Sequence, residues 1–174
     1  MQRGYLTGAA ALTALLTLAF SAVAEEKRDH LGDYRDWSTF RDIYADGTRV
    51  CYMITQPKEA TADKANVKRG AIYVMVSHWP DSQIRDQVRI SGGYPYKASS
   101  KVRAVIDGKA FDLFTEDQDA WAHDAQEDAR LVGAMKSGLK LTVEGESSRG
   151  TKTVDEFSLS GFTAAHNAIT KACG

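Results

Sequence analysis

The sequence predicts a mostly β protein: an antiparallel β-sandwich-like domain, with one helix before the last hairpin and a second at the C-terminus. Three observations carry this. Short alternating or apolar runs recur along the chain, separated by turn residues. Asp107-Gly108 lies between two such runs, as a tight hairpin requires. Strands and helices nowhere alternate regularly, so a parallel, doubly wound sheet has no support, and two sheets packed face to face is the architecture expected.

From the N-terminus, Arg3 is followed by an uncharged run, Tyr5 to Val23, that ends in Ala22-Val23-Ala24 before the charged Glu25-Glu26-Lys27-Arg28. This is the layout of a secretory signal, and cleavage is expected after Ala24. The run is nearly long enough to span a bilayer. Its richness in Ala, Thr and Ser and its Ala-x-Ala end argue against an anchor. The chain thus divides into a signal (1–24), a charged lead-in without periodicity (25–36), expected to be flexible, and one domain (37–174).

Within that domain Trp37–Ile43 reads as the first strand. Arg49–Gln56 alternates Val50, Tyr52 and Ile54 against Cys51, Met53 and Thr55, until Pro57 stops it. The polar stretch 58–69 reads as a loop. Ala71–Trp79 is apolar on both faces, as a covered central strand is. Gln87–Ser91 is a short strand closed by Gly92-Gly93. Val102–Ile106 and Lys109–Phe114 form the Asp107-Gly108 hairpin. Helical spacing of Ala125, Ala129, Val132 and Met135 predicts a helix to Ser137, with Gly138 ending it. Leu139–Glu144 and Thr151–Leu159 flank the turn residues 147–150. The last helix runs from about Gly161 to Ala172, with Phe162, Ala165, Ile169 and Ala172 on one face.

Composition excludes several function classes. The 174 residues carry 22 basic and 23 acidic side chains, a formal net charge of −1. There is no basic run to mark a nucleic-acid footprint or a polybasic membrane patch. The domain is long enough to bury a core without a dense disulfide framework. Its two cysteines, Cys51 and Cys173, are expected to form one structural disulfide in an oxidising compartment. A CxxC redox pair is absent.

No spacing names a reaction, and no catalytic residue, metal ligand or cofactor is assigned. His123 and Glu127 sit one helical turn apart, but two ligands are too few for a closed zinc site. His166 is expected as a packed histidine with one satisfied nitrogen. Ser158, Ser160, His166 and Asp155 supply triad residue types without the GxSxG elbow. Ser160 is better placed to cap the last helix. The acidic cluster from Glu116 to Asp128 lacks calcium-loop spacing. Tyr94-Pro95-Tyr96 has two readings: Tyr94 and Tyr96 form an aromatic binding surface, or their rings cap the end of the core.

Several ordered segments together resemble the invasion-associated locus B proteins of alphaproteobacteria. They are Cys51-Tyr52 with Gln56-Pro57, Arg69-Gly70 before AIYVMVSH, Gly93-Tyr94-Pro95, Ile106-Asp107-Gly108 and Ala120-Trp121. In the C-terminal third they are LVGAMKSG, GESSRG, FSLSGFTAA and the closing Ala172-Cys173. The resemblance implies a signal-bearing periplasmic or outer-surface protein with a β-sandwich-like fold, some of whose relatives are linked to host-cell entry. It carries no catalytic residue across. The additional early cysteine found in many relatives is missing from Asp36–Phe40. The expected function is that of a non-enzymatic binding or accessory protein with an unidentified protein or envelope partner and no membrane span in the mature chain. The alternatives are a periplasmic housekeeping or stress role and, behind it, a serine hydrolase.

Overall fold

The computed structural model describes residues 26–173. The expected signal and its cleavage point after Ala24 lie outside the described residues. The elements run β1 (Lys27–Tyr34), β2 (Trp37–Ile43), β3 (Arg49–Thr55), β4 (Glu59–Ala62), β5 (Tyr73–Trp79) and β6 (Ile84–Ser91). They continue with β7 (Lys101–Ile106), β8 (Lys109–Glu116), β9 (Asp119–Trp121), α1 (Ala125–Ser137), β10 (Lys140–Glu146), β11 (Lys152–Ser158) and α2 (Phe162–Cys173).

The two sheets expected from the sequence are one. All eleven strands join a single ladder in the order β1-β2-β3-β5-β6-β9-β8-β7-β10-β11-β4, with every pairing antiparallel. The three-residue β9 links the halves, and the sheet closes over a shared interior. Trp37, Met53, Val76 and Ile90 from one half and Val102, Leu113, Leu141 and Phe157 from the other belong to one buried cluster. That common core keeps the fold sandwich-like.

Three strands depart from expectation. The flexible lead-in is corrected: Lys27–Tyr34 is strand β1, registered on β2 from Lys27↔Ile43 to Tyr34↔Trp37. The loop 58–69 contains β4, which pairs with β11, and β9 follows a two-residue turn after β8. β1 and β4 are edge strands held mainly by backbone pairing, so neither shows the apolar alternation that burial writes into a sequence.

In β3 the alternation resolves inward for Cys51, Met53 and Thr55. Helix α2 packs over β1, β2, β3 and β5, burying Phe162, Ala165, His166, Ile169 and Cys173. Phe162 meets Trp37 edge to face at 5.0 Å. Helix α1 begins where Asp124 accepts the Glu127 N–H at 2.8 Å. Gly138 ends it for a reason other than a left-handed turn: its φ is −86°, and a Cβ there would run into Ile106.

Asp128 fastens α1 to β6 by accepting the Val88 N–H at 2.9 Å. Burial pushes its carboxyl up from 3.8 to about 6, helped by Asp86, Asp124 and Glu127, while the Val88 N–H pulls the other way. The folded chain therefore binds this proton more readily than the unfolded chain. The group costs stability above pH 6, and the cost fades as pH falls toward 4. Asp128→Asn keeps the acceptor oxygen and removes the charge. It is expected to stabilise the protein by about 1–2 kcal/mol at pH 7, after discounting for solvent screening. Thermal melts across this pH range should show the gain shrinking on acidification; a gain that grows would refute the assignment.

Candidate functional site

The C-terminal helix is held at two adjacent points. Cys173 is bonded to Cys51 on β3, with Cα atoms 5.8 Å apart. Beside it, Cys51 is registered opposite His78 on β5, and His78 opens a buried polar network. Its Nδ1 accepts the Asp86 N–H at 3.0 Å, so the ring proton lies on Nε2 and is donated to Thr170 Oγ1 at 3.1 Å. Thr170 lies 3.5 Å from His166 Nδ1, and His166 Nε2 donates to Asp86 Oδ1 at 2.6 Å. Asp86 reaches inward from an irregular stretch of β6, at φ 60°, where register with β5 shifts.

The electrostatics fit this wiring. Burial lowers the His78 pKa, keeping the ring neutral. The hydrogen bond from His166 holds the Asp86 carboxyl below its ordinary value. His78, Asp86 and His166 place three potential metal ligands within 4.8 Å of one another. A cation would have to displace the Asp86 N–H from His78 and break the His166–Asp86 bond. As it stands, the network is internally satisfied. Both nitrogens of His166 are engaged, one more than its place on the helix implied. Nothing in the sequence paired His78, Asp86 and Thr170, because β5, β6 and α2 bring them together only on folding.

The residues of the hydrolase alternative are apart. Ser158 Oγ accepts the Ser160 N–H at 3.1 Å, and Ser160 Oγ accepts from Arg35 at 3.4 Å. Neither hydroxyl bonds His166, and Asp155 lies elsewhere, against Arg69. Ser160 is therefore not the side-chain cap expected of it. Glu127 accepts the backbone N–H of His123 at 3.4 Å, closing the start of α1.

Tyr94 and Tyr96 occupy the junction between the two halves. Tyr96 is only 7 % exposed; its ring meets Tyr94 edge to face at 5.1 Å and fills the space left by Gly92 and Gly145. The Tyr94 hydroxyl bonds Thr153 at 2.5 Å. This is the core-capping placement; the rings do not form an open platform. Beneath them Arg69 pairs in bidentate fashion with Asp155, at 2.6 and 2.5 Å. It also donates twice to Gly92 O, at 2.9 and 2.7 Å. Tyr94 lies 5.0 Å above the guanidinium. The pair is 9 % and 3 % exposed.

Among the described residues, no helix covers the outer face of the first half. Here Arg28 lies over Phe40 and Tyr52, 6.0 Å from each, and is held by both oxygens of Asp42 at 2.8 and 2.7 Å. Arg89 lies 5.6 Å from the Tyr73 and Trp121 rings and donates to Asp119 at 2.6 Å. Sequence reading missed these stacks, since their members come from six strands.

The fold and its sites define a class: an antiparallel β domain whose C-terminal helix is tied to its third strand by one disulfide, its buried polar groups mostly paired with one another. Residues 37–170 match the family described as "Invasion associated locus B (IalB) protein", and with most of the chain matched, the protein belongs to that family. No curated protein and no solved structure matches the chain. Among the described residues, no helix is long and apolar enough to cross a membrane.

Proposed function

We propose that this chain is an exported, non-enzymatic binding or accessory protein that works in the periplasm or at the outer surface of the cell envelope. One observation carries the reading. The side chains of reactive type, His78, His166, Ser158 and Ser160, are engaged in bonds that hold α2 and the strand ends. What remains accessible is surface on a rigid scaffold, the usual place for recognition. The Cys51–Cys173 bond supports a location outside the reducing cytosol, and membership of the family agrees with export.

The test is photo-cross-linking in the producing cell, with probe residues at exposed Tyr44, Phe114 and Val154. Repeated capture of the same envelope protein is expected. Yields no higher than those of an unrelated exported control would count against binding. Labelling by a serine-reactive probe that disappears in His166→Ala would overturn the non-enzymatic reading.

A further inference from the structure

The sheet is split beside α1, and the split leaves a strand edge open. On one side β8 pairs with β7 from Phe114↔Lys101 to Lys109↔Ile106. On the other, β9 covers only Phe114–Glu116, and β6 meets β9 only through Arg89–Ser91. Beyond that bridge, Ile84–Val88 of β6 and Lys109–Leu113 of β8 diverge, and α1 stands between them. It closes the β6 side through Asp128 and Val88 N–H. The β8 side stays open.

The register says which backbone groups face the opening. Asp107-Gly108 is a two-residue turn with φ 45° and 89°, so Ile106 and Lys109 form the closing hydrogen-bonded pair. Alternation then turns the N–H and C=O of Ala110 and Asp112 away from β7. The second hairpin, closed by Glu116↔Asp119, gives the same phase. Among the described residues, no turn, loop or side-chain hydrogen bond reaches the Ala110 or Asp112 backbone.

A groove of about 380 Å³ runs between Ala110–Leu113 and the Glu127, Arg130 and Leu131 side of α1. It continues past Lys109 and Arg130 into a second hollow of about 330 Å³ beside Gly133 and Ala134. Gly133 has open space where a Cβ would stand. A glycine inside a helix costs about 1 kcal/mol relative to alanine, and here its effect is to widen the groove.

The charges lining the two hollows are mixed, Lys101, Lys109 and Arg130 against Asp107, Asp112 and Glu127, but the acidic groups are already engaged: Asp107 accepts the Leu139 N–H at 2.9 Å. Asp112 is paired with Lys101 at 3.1 Å, and Glu127 is turned back to His123 N–H. Lys109 and Arg130 have no carboxylate partner among the described residues.

We propose that the free edge of β8 and the facing side of α1 bind an extended, acidic segment of another exported protein. The segment adds as a strand to Ala110 and Asp112, and its carboxylates meet Lys109 and Arg130. Main-chain pairing supplies affinity and the groove supplies side-chain selection, the logic of strand addition between an edge and a helix. The proposal rests on the binding-protein reading and names the class of its partner.

The test is selection of short random peptides displayed on phage against the full chain, followed by fluorescence polarisation and amide-shift mapping. Enriched peptides should be rich in Asp and Glu and should perturb the Ala110 and Asp112 amides. Ala110→Pro removes an outward N–H and leaves the ladder to β7 intact; it should weaken binding about tenfold or more. Arg130→Glu, on the exposed side of the helix, should abolish the acidic preference and decides the question if the proline disturbs the strand. Selection that enriches nothing, or peptides whose binding survives both variants, would overturn the proposal. So would sedimentation showing a dimer that Ala110→Pro dissolves, because a second copy would then own the edge. An envelope partner cross-linked equally by wild type and Ala110→Pro would sink the groove while leaving the binding role standing.

Discussion

Replacing Cys51 and Cys173 together by alanine is expected to lower stability by about 4–5 kcal/mol in the chain-entropy model. The bond joins residues separated by 122 positions, so in the unfolded state it constrains the chain from β3 to the end of α2, leaving only β1 and β2 outside the loop. For a protein of this size that corresponds to a fall of roughly 10–20 °C in Tm. The native state should change locally as well. α2 is fastened by Cys173 at its last residue and by the His166–Asp86 bond one helical stretch earlier. Hydrogen exchange in the double variant should therefore rise first in the final turn of α2, around Thr170, with the β10–β11 ladder protected until global unfolding. A loss below about 1 kcal/mol, or exchange that rises evenly through both halves, would show that the bond is not the tie described here.

Asp155→Ala has the second large expected effect. It leaves the Arg69 guanidinium buried beside Tyr94 with only Gly92 O for company. Removing one partner of a buried pair costs about 3–5 kcal/mol, because the remaining charge is uncompensated. The pair also links the loop before β5 to β11 and to the end of β6, so unfolding should remain cooperative while its midpoint in urea falls. Arg69→Met combined with Asp155→Leu removes both charges and should recover part of the loss. Should Asp155→Ala prove nearly neutral, the pair would have to be exposed in solution, contrary to its burial here.

Much of the architecture was legible because burial leaves a period in the sequence. The alternation of β3, the both-sides-apolar β5 and the Asp107-Gly108 hairpin all appear where expected. The bounds of α1 agree with its expected span, Ala125–Ser137, since Asp124 and Gly138 mark its ends locally. β1 and β4 were missed for the same physical reason in reverse. Edge strands gain their order from backbone pairing, and Lys27–Tyr34 buries too little to show a pattern. β9 is three residues long, too short for any period to register.

The site was less legible. Tyr94 and Tyr96 could be singled out as aromatics beside a tight turn, but whether the rings faced water or the core depended on Gly92 and Gly145 making room for them. The Asp112 edge and the Arg130 helix face became a groove only because β9 stops at Trp121 and α1 sits in the gap it leaves.

By itself, then, the chain determined its strand-rich class, the local limits of its best-patterned elements and the pairing of its two sulfurs. Those depend on neighbours in sequence or on simple count. Tertiary structure alone decided that one sheet, not two, closes the core, that His78, Asp86, His166 and Thr170 meet, and that β8 keeps an open edge. Each of these joins groups far apart along the chain, and contacts of that kind leave no period for a sequence to show.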